Sequence, residues 1–200
     1  VREVFLPPFK KAVEAGCATI MTAYGSTDST PLTASRKIMH DILRDELGFE
    51  GFVITDWDNT MSLIRNQKVA KDMEEASIMS VNAGNDMIMV TLDFYEAMLS
   101  ALKKGTVDIS LVDEAVLHIL TIKYEMELFE KPEKTGKADC FSCEEHLAAS
   151  LEAARKSVTL LRNKDMLPLD KKCKKLALIG PNADDVRAQY GDWTYFTHPQ

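Results

Sequence analysis

The sequence predicts an α/β protein: part of a TIM-like (β/α)8 barrel, followed by the start of a second α/β unit. Two observations carry the α/β class. Three short apolar runs begin near Ala18, Phe52 and Met87, a period of about 35 residues, close to the repeat of an eight-unit barrel. Segments with helical spacing stand between those runs. A third observation divides the chain: the stretch from Glu130 to Asp139 turns polar and holds Pro132 and Gly136, and a new helical pattern follows it. Three strands cannot close a barrel, so the first part reads as a barrel's second half. From pattern alone, a doubly wound open sheet fits as well.

The elements follow in order. Glu3 to Ala15 has Phe5, Leu6, Phe9 and Val13 at helical spacing, with Pro8 tolerated in a first turn and Gly16 as the stop. Cys17 to Thr22 is an apolar run, expected as a strand. Tyr24 to Ala34 is rich in Gly, Ser, Thr, Asp and Pro and reads as a loop. Ser35 is expected to cap a helix carrying Ile38, Ile42, Leu43 and Leu47 on one face, closed by Gly48. Phe52-Val53-Ile54 has no polar partner, so a strand buried on both faces is expected. Asp58 to Lys68 reads as a loop or short helix. Asp72 opens a helix ended by Gly84, and Asp86 to Val90 is the third strand. Thr91 or Asp93 caps a helix that stops at Gly105, and Ser110 starts a long one. Glu144 to Lys156 is helical. Leu176 to Ala183 reads as a strand entering a Gly-Pro turn, the first of the second unit. The expected domains are therefore 1–130 for the barrel part, 131–170 for a linker with a helix, and 171–200 for the start of the second domain.

Composition removes several classes. Net charge is −7, from 31 acidic and 24 basic residues, which argues against a nucleic-acid binder. No apolar run is long enough to span a bilayer. Hydrophobic residues make up 46% and charged residues 28%, ordinary for a globular protein. The chain opens on Val1 without a leader-like pattern and reads as a fragment. Cys17, Cys140, Cys143 and Cys173 form no disulfide framework. Cys140 and Cys143 have zinc or redox spacing, but the second pair or βα setting such sites need is missing, so they are expected as thiols in a linker. Neither metal nor cofactor is expected. No compartment is assigned; the cysteines lean towards the cytoplasm.

Asp56 ends the central strand. In parallel β/α architectures ligands meet the protein at the carboxyl ends of strands, so an acid there is a candidate for chemistry. Capping the next helix, or pairing with an arginine, fits the local sequence equally. Asp58, one step into the loop, is expected to be solvated or a cap. His40, His118 and Asp86 are expected to be structural.

Five stretches in order resemble glycoside hydrolase family 3, and among its members the β-glucosidases. They are Met21-Thr22-Ala23-Tyr24, the run from Gly48 to Trp57, the run from Ala83 to Met89, Ala154 to Asn163, and Leu176 to Ala183. Gly25 departs from the pattern, where relatives usually carry Asn after the Tyr. The resemblance implies a barrel followed by an α/β sandwich, with a site between them. It implies Asp56 as the nucleophile of a retaining glycosidase, Trp57 beside the sugar, and Met21 and Tyr24 lining the subsite of the cleaved sugar. Tyr24 is expected to donate a hydrogen bond to Asp56. The acid/base residue is expected outside this chain, after Gln200, and the sugar-binding residues of earlier strands before it. The implied substrate is a small β-glucoside or oligosaccharide. A β-xylosidase of the same family and a non-catalytic sugar-binding relative are the alternatives, with Trp57 leaning towards glucose. Oligomeric state is left open.

Overall fold

The computed structural model describes residues 1–130, 140–172, 174–185 and 188. The chain divides into two units, Val1–Thr135 and Gly136–Gln200.

The first unit opens with helix α1, Leu6–Glu14, whose prolines lie in its first turn. Strand β1, Thr19–Thr22, follows. The stretch expected as a plain loop instead holds a small hairpin, β2 Ser26–Thr27 against β3 Thr30–Pro31. Its turn residues Asp28 and Ser29 both take positive φ, 50° and 64°, the twist that two-residue hairpins favour. The next helix, Lys37–Glu46, is wound as a π-helix. Its Leu47 amide reaches back five residues to the Ile42 carbonyl at 3.0 Å. No side chain caps it; Ser35 contributes its carbonyl to the Ile38 and Met39 amides, so the expected hydroxyl cap is replaced by main chain.

Strand β4, Phe52–Thr55, pairs in parallel with β1, from Thr19 opposite Phe52 to Thr22 opposite Thr55. The entry to β4 requires glycine: a Cβ on Gly51 would lie 2.1 Å from the Ala18 carbonyl oxygen. The expectation of a strand buried on both faces is corrected. Val53 and Thr55 are fully buried, while Phe52 and Ile54 are only partly so. Val53 packs with Met39, Leu43 and Phe49, so within the described residues this face is the one sealed by the helix layer. The third apolar run forms no strand of its own; it meets β4 through a parallel bridge, Ile54 to Met87. The Met89 amide turns to the Thr55 hydroxyl at 2.9 Å, and Val90 leaves extended geometry at φ 62°, so the ladder ends there.

Helices α2 (Asn59–Arg65), α3 (Met73–Ala83), α4 (Phe94–Lys104) and α5 (Ile109–Glu125) complete the unit. Asp72 caps α3 by accepting the Glu75 amide at 2.9 Å, and Gly84 ends it in the left-handed region at φ 99°. Asp108, rather than Ser110, caps α5; its carboxylate accepts the Ser110 amide at 2.9 Å. Asp93 stands at the start of α4 without a side-chain cap bond. Val81, Met98, Ala101 and Val107 form one core between these helices, and Leu63, Ala70 and Ala76 another.

In the second unit, helix α6 spans Glu144–Ser157. Leu176 to Ile179 pairs with no strand among the described residues, and Gly180, at φ 129°, leads into a 3₁₀ turn at Pro181–Asp184. The strand expected there lacks the neighbour that a ladder requires. Its leucines and Ile179 are exposed. The expected linker segment 131–139, Cys173 and the end of the chain from Gln189 lie outside the described residues.

Candidate active site

The site is built where β1 and β4 end side by side. Thr22 and Thr55 are the last paired residues. The Asp56 amide extends the ladder by one bond, donating to the Thr22 carbonyl at 3.2 Å. Asp56 therefore leaves the sheet at a carboxyl end, and Tyr24 leaves the neighbouring strand two residues after its own last pair. Parallel pairing alone puts both at the same end of the sheet.

The Tyr24 hydroxyl donates to the Trp57 carbonyl at 2.5 Å, a partner that sequence reasoning did not name. Asp56 remains a neighbour. Burial first, then the charge of Asp56 and a hydrogen-bonding contact with it, and last the charge of Asp58, raise the Tyr24 phenol above its ordinary value. Tyr24 thus stays a neutral donor between two carboxylates. Asp56 Oδ1 accepts the Trp57 amide at 2.6 Å. Neither local alternative for Asp56 is realised: the residue before α2 is Asp58, and the Asp56 carboxylate meets the Trp57 amide and Tyr24 rather than an arginine. Trp57 is half exposed, at 50%, and offers a broad apolar face beside the carboxylate. Met21, similarly exposed, borders an apolar groove with Phe5, Phe9, Ile20 and Leu32.

Beneath these groups lies a polar layer that sequence reasoning missed. Thr22, Thr33, Asn59, Thr60, Ser80 and Asn85 are all essentially buried. Asn85 donates to the Thr33 and Ser80 carbonyls, both at 2.8 Å, and the Thr22 hydroxyl reaches Asn85 at 3.3 Å. Gln67 donates to the Tyr24 carbonyl at 2.8 Å and ties the Tyr24 loop to the end of α2. Of the layer's residues, Asn59, Thr60 and Ser80 lie in helices, where a polar residue in place of an apolar one was the only signal, and no period marked it.

At the other end of the strands, the Asp86 side chain is largely covered. Its Oδ2 accepts from Arg44 and from the Val53 amide, both at 2.6 Å, and Oδ1 meets His118 Nδ1 at 2.9 Å. Asp86 and His118 thus sit in a cross-link between elements. Among the described residues, one group brings ligand atoms within range of a metal, His40 with Asp41 and Asp45; both aspartates are exposed on the helix surface. Cys17 and Cys143 are free thiols.

The description "Glycosyl hydrolase family 3 N terminal domain" matches residues 1–122. The chain belongs to glycosyl hydrolase family 3. It is 37% identical to a β-xylosidase of Formosa agariphila, covering 96% of this chain and 28% of that protein. Against a lysosomal β-glucosidase of Dictyostelium discoideum the identity is again 37%, over 97% of this chain and 25% of that one. Among solved structures, a β-glucosidase of saponin metabolism from intestinal bacteria is 40% identical, with a TM-score of 0.77, covering 95% of this chain and 25% of that one. The β-glucosidase of Listeria innocua in complex with glucose is 32% identical, with a TM-score of 0.70 over 82% of this chain and 22% of that one. This family 3 chain spans about a quarter of the length of the curated relatives it matches.

Proposed function

We propose that this chain carries the nucleophile side of a retaining β-glycosidase site, with Asp56 as the nucleophile. The observation that carries the reading is the convergence of Asp56, Trp57 and Tyr24 just past the ends of two paired parallel strands. A retaining glycosidase needs two carboxyl groups about 5–5.5 Å apart. In the reading proposed, an Asp56 carboxylate oxygen attacks the anomeric carbon while the bond to the leaving oxygen breaks. The second carboxyl, expected outside residues 1–200, protonates that leaving oxygen. Water then cleaves the glycosyl ester with the same group acting as base, and Asp56 is regenerated. The Trp57 amide donates to one Asp56 oxygen and so orients the carboxylate. Trp57 supplies a face for the pyranose ring, and Met21 and Tyr24 line the subsite beside it. This chemistry calls for no metal or cofactor.

The architecture proposed with it is a half-barrel over 1–130, a linker with a helix over 131–170, and the start of an α/β sandwich over 171–200. The substrate proposed is a small β-glucoside or oligosaccharide. A β-xyloside is the second reading, because relatives of similar identity bear both names. In the complete protein, Asp56→Ala is expected to abolish turnover of nitrophenyl β-glucoside and nitrophenyl β-xyloside, and azide to restore part of it. An Asp56→Ala protein that turns over at near the wild-type rate rules this nucleophile out. The ratio of the two rates in the unmodified protein decides between the sugars.

A further inference from the structure

Asp58 was expected to be solvated or a helix cap; its side chain is 35% exposed, and its carboxylate caps nothing. It stands before α2 with no side-chain cap bond, in the left-handed region at φ 50°. That conformation is costly for most residues and mild for Asp, Asn and Gly. Three bonds fasten the turn to the neighbouring loop. The Asp58 amide donates to the Met89 carbonyl at 3.1 Å. The Thr91 hydroxyl donates to Asp58 Oδ1, also at 3.1 Å. The Met89 amide donates to the Thr55 hydroxyl at 2.9 Å, one residue before Asp56. Arg65 approaches the other Asp58 oxygen at 3.7 Å. The facing loop carries its own unusual residue, Val90 at φ 62°. A β-branched residue held there stores strain that other contacts must offset. Asp56 and Trp57 therefore sit in a turn clamped from both sides, by Asp58 and Thr91 on one and by the Tyr24 hydroxyl on the other.

We infer that Asp58 is a positioning residue, which acts through Thr91 to hold the Asp56–Trp57 turn in the geometry that attack requires. The inference rests on the reading of Asp56 as nucleophile. Misplacing a reacting group by an ångström can cost about 100-fold in rate, whereas a sugar bound by other groups still binds.

The test uses the complete protein with nitrophenyl β-glucoside and nitrophenyl β-xyloside, measuring kcat and KM separately. Asp58→Leu is expected to lower kcat about 10- to 100-fold and to change KM far less. Asp58→Asn, which tolerates the same φ and still accepts the Thr91 hydroxyl, is expected to recover kcat to within about threefold of wild type. Thr91→Val is expected to lower kcat, and to add little on top of Asp58→Leu, because both break one clasp. An Asp58→Asn protein as slow as Asp58→Leu overturns the inference, since charge rather than position would then matter. So does a change confined to KM, or a fully additive double variant. If Asp58→Leu does not fold, Thr91→Val decides: a lowered kcat supports the clasp, and an unchanged one overturns it. Asp56→Ala is assayed alongside. If it is inactive while Asp58→Leu and Thr91→Val turn over normally, the positioning role alone fails. If it is active, the nucleophile reading fails and takes the clasp with it.

Discussion

Tyr24 shows how one side chain depends on its neighbours. Its residue type and its place after an apolar run suggested a partner in Asp56. The structure gives its hydroxyl to the Trp57 carbonyl and keeps the Asp56 and Asp58 charges nearby. Those surroundings favour the neutral phenol, so its value rises above the ordinary 10.0. The sign follows: the neutral form stabilises the folded state fully below the unfolded value, and that contribution is lost as pH rises through the folded value. The difference in absorbance at 295 nm between wild type and Tyr24→Phe, titrated with base, should show one phenol ionising above the ordinary range. A phenol titrating at or below it would contradict this environment. Tyr24→Phe should also lose the bond to Trp57, which at a typical net worth of about 0.5–1.5 kcal/mol lowers turnover several-fold rather than abolishing it.

At the scale of elements, the period of the apolar runs located β1, β4 and the third run, and Gly and Asp positions located most helix ends. Asp72 and Gly84 bound α3 as their chemistry predicts. What the period could not show is how elements are fastened. Asp86 was readable only as a residue before a strand. In the fold its carboxylate joins the π-helix through Arg44, β4 through the Val53 amide and α5 through His118. The Arg44 side chain is only 10% exposed and the Asp86 side chain 5%. Removing one partner leaves the other charge buried without its counter-ion, which typically costs about 3–5 kcal/mol. Asp86→Ala should therefore lower the urea midpoint of the complete protein markedly. A midpoint unchanged within error would show that Arg44 finds equivalent partners in the Phe49 and Gly51 carbonyls it already touches.

At the scale of the whole molecule, the two units differ in what they bury. Among its described residues, the first holds three apolar clusters. In the second, every described residue is exposed except Cys143 and Asp185. A run such as Leu176 to Ile179 has strand composition, but strands are stable only beside other strands or under a helix. Residues 1–200 expressed alone are accordingly expected to show no useful glycosidase activity and to be poorly soluble. Loss of general acid help is worth about 10²–10⁴-fold by itself. The measurement is hydrolysis of nitrophenyl β-glucoside by residues 1–200 beside the complete protein. Robust turnover by the fragment that vanishes on Asp56→Ala would show that the remaining parts are dispensable.

By itself, the sequence determined the α/β class, the places of the apolar runs, most helix ends, and Asp56 and Tyr24 as residues just beyond strands. These are properties of short windows, where side-chain period and capping chemistry act within a few residues. Only the tertiary structure decided that β1 and β4 are parallel neighbours in a register that brings Tyr24 to Trp57. It alone turned the loop at Ser26 to Pro31 into a hairpin, wound the helix at Lys37–Glu46 as a π-helix, and made Asp58 a clasp to Thr91 instead of a cap. It also buried the Thr22, Asn59 and Asn85 layer, which no periodic pattern marked. The reason is that hydrogen-bond partners 33 or 63 residues apart are chosen by the register of the sheet and the packing of the helices on it, and neither is written in any one segment.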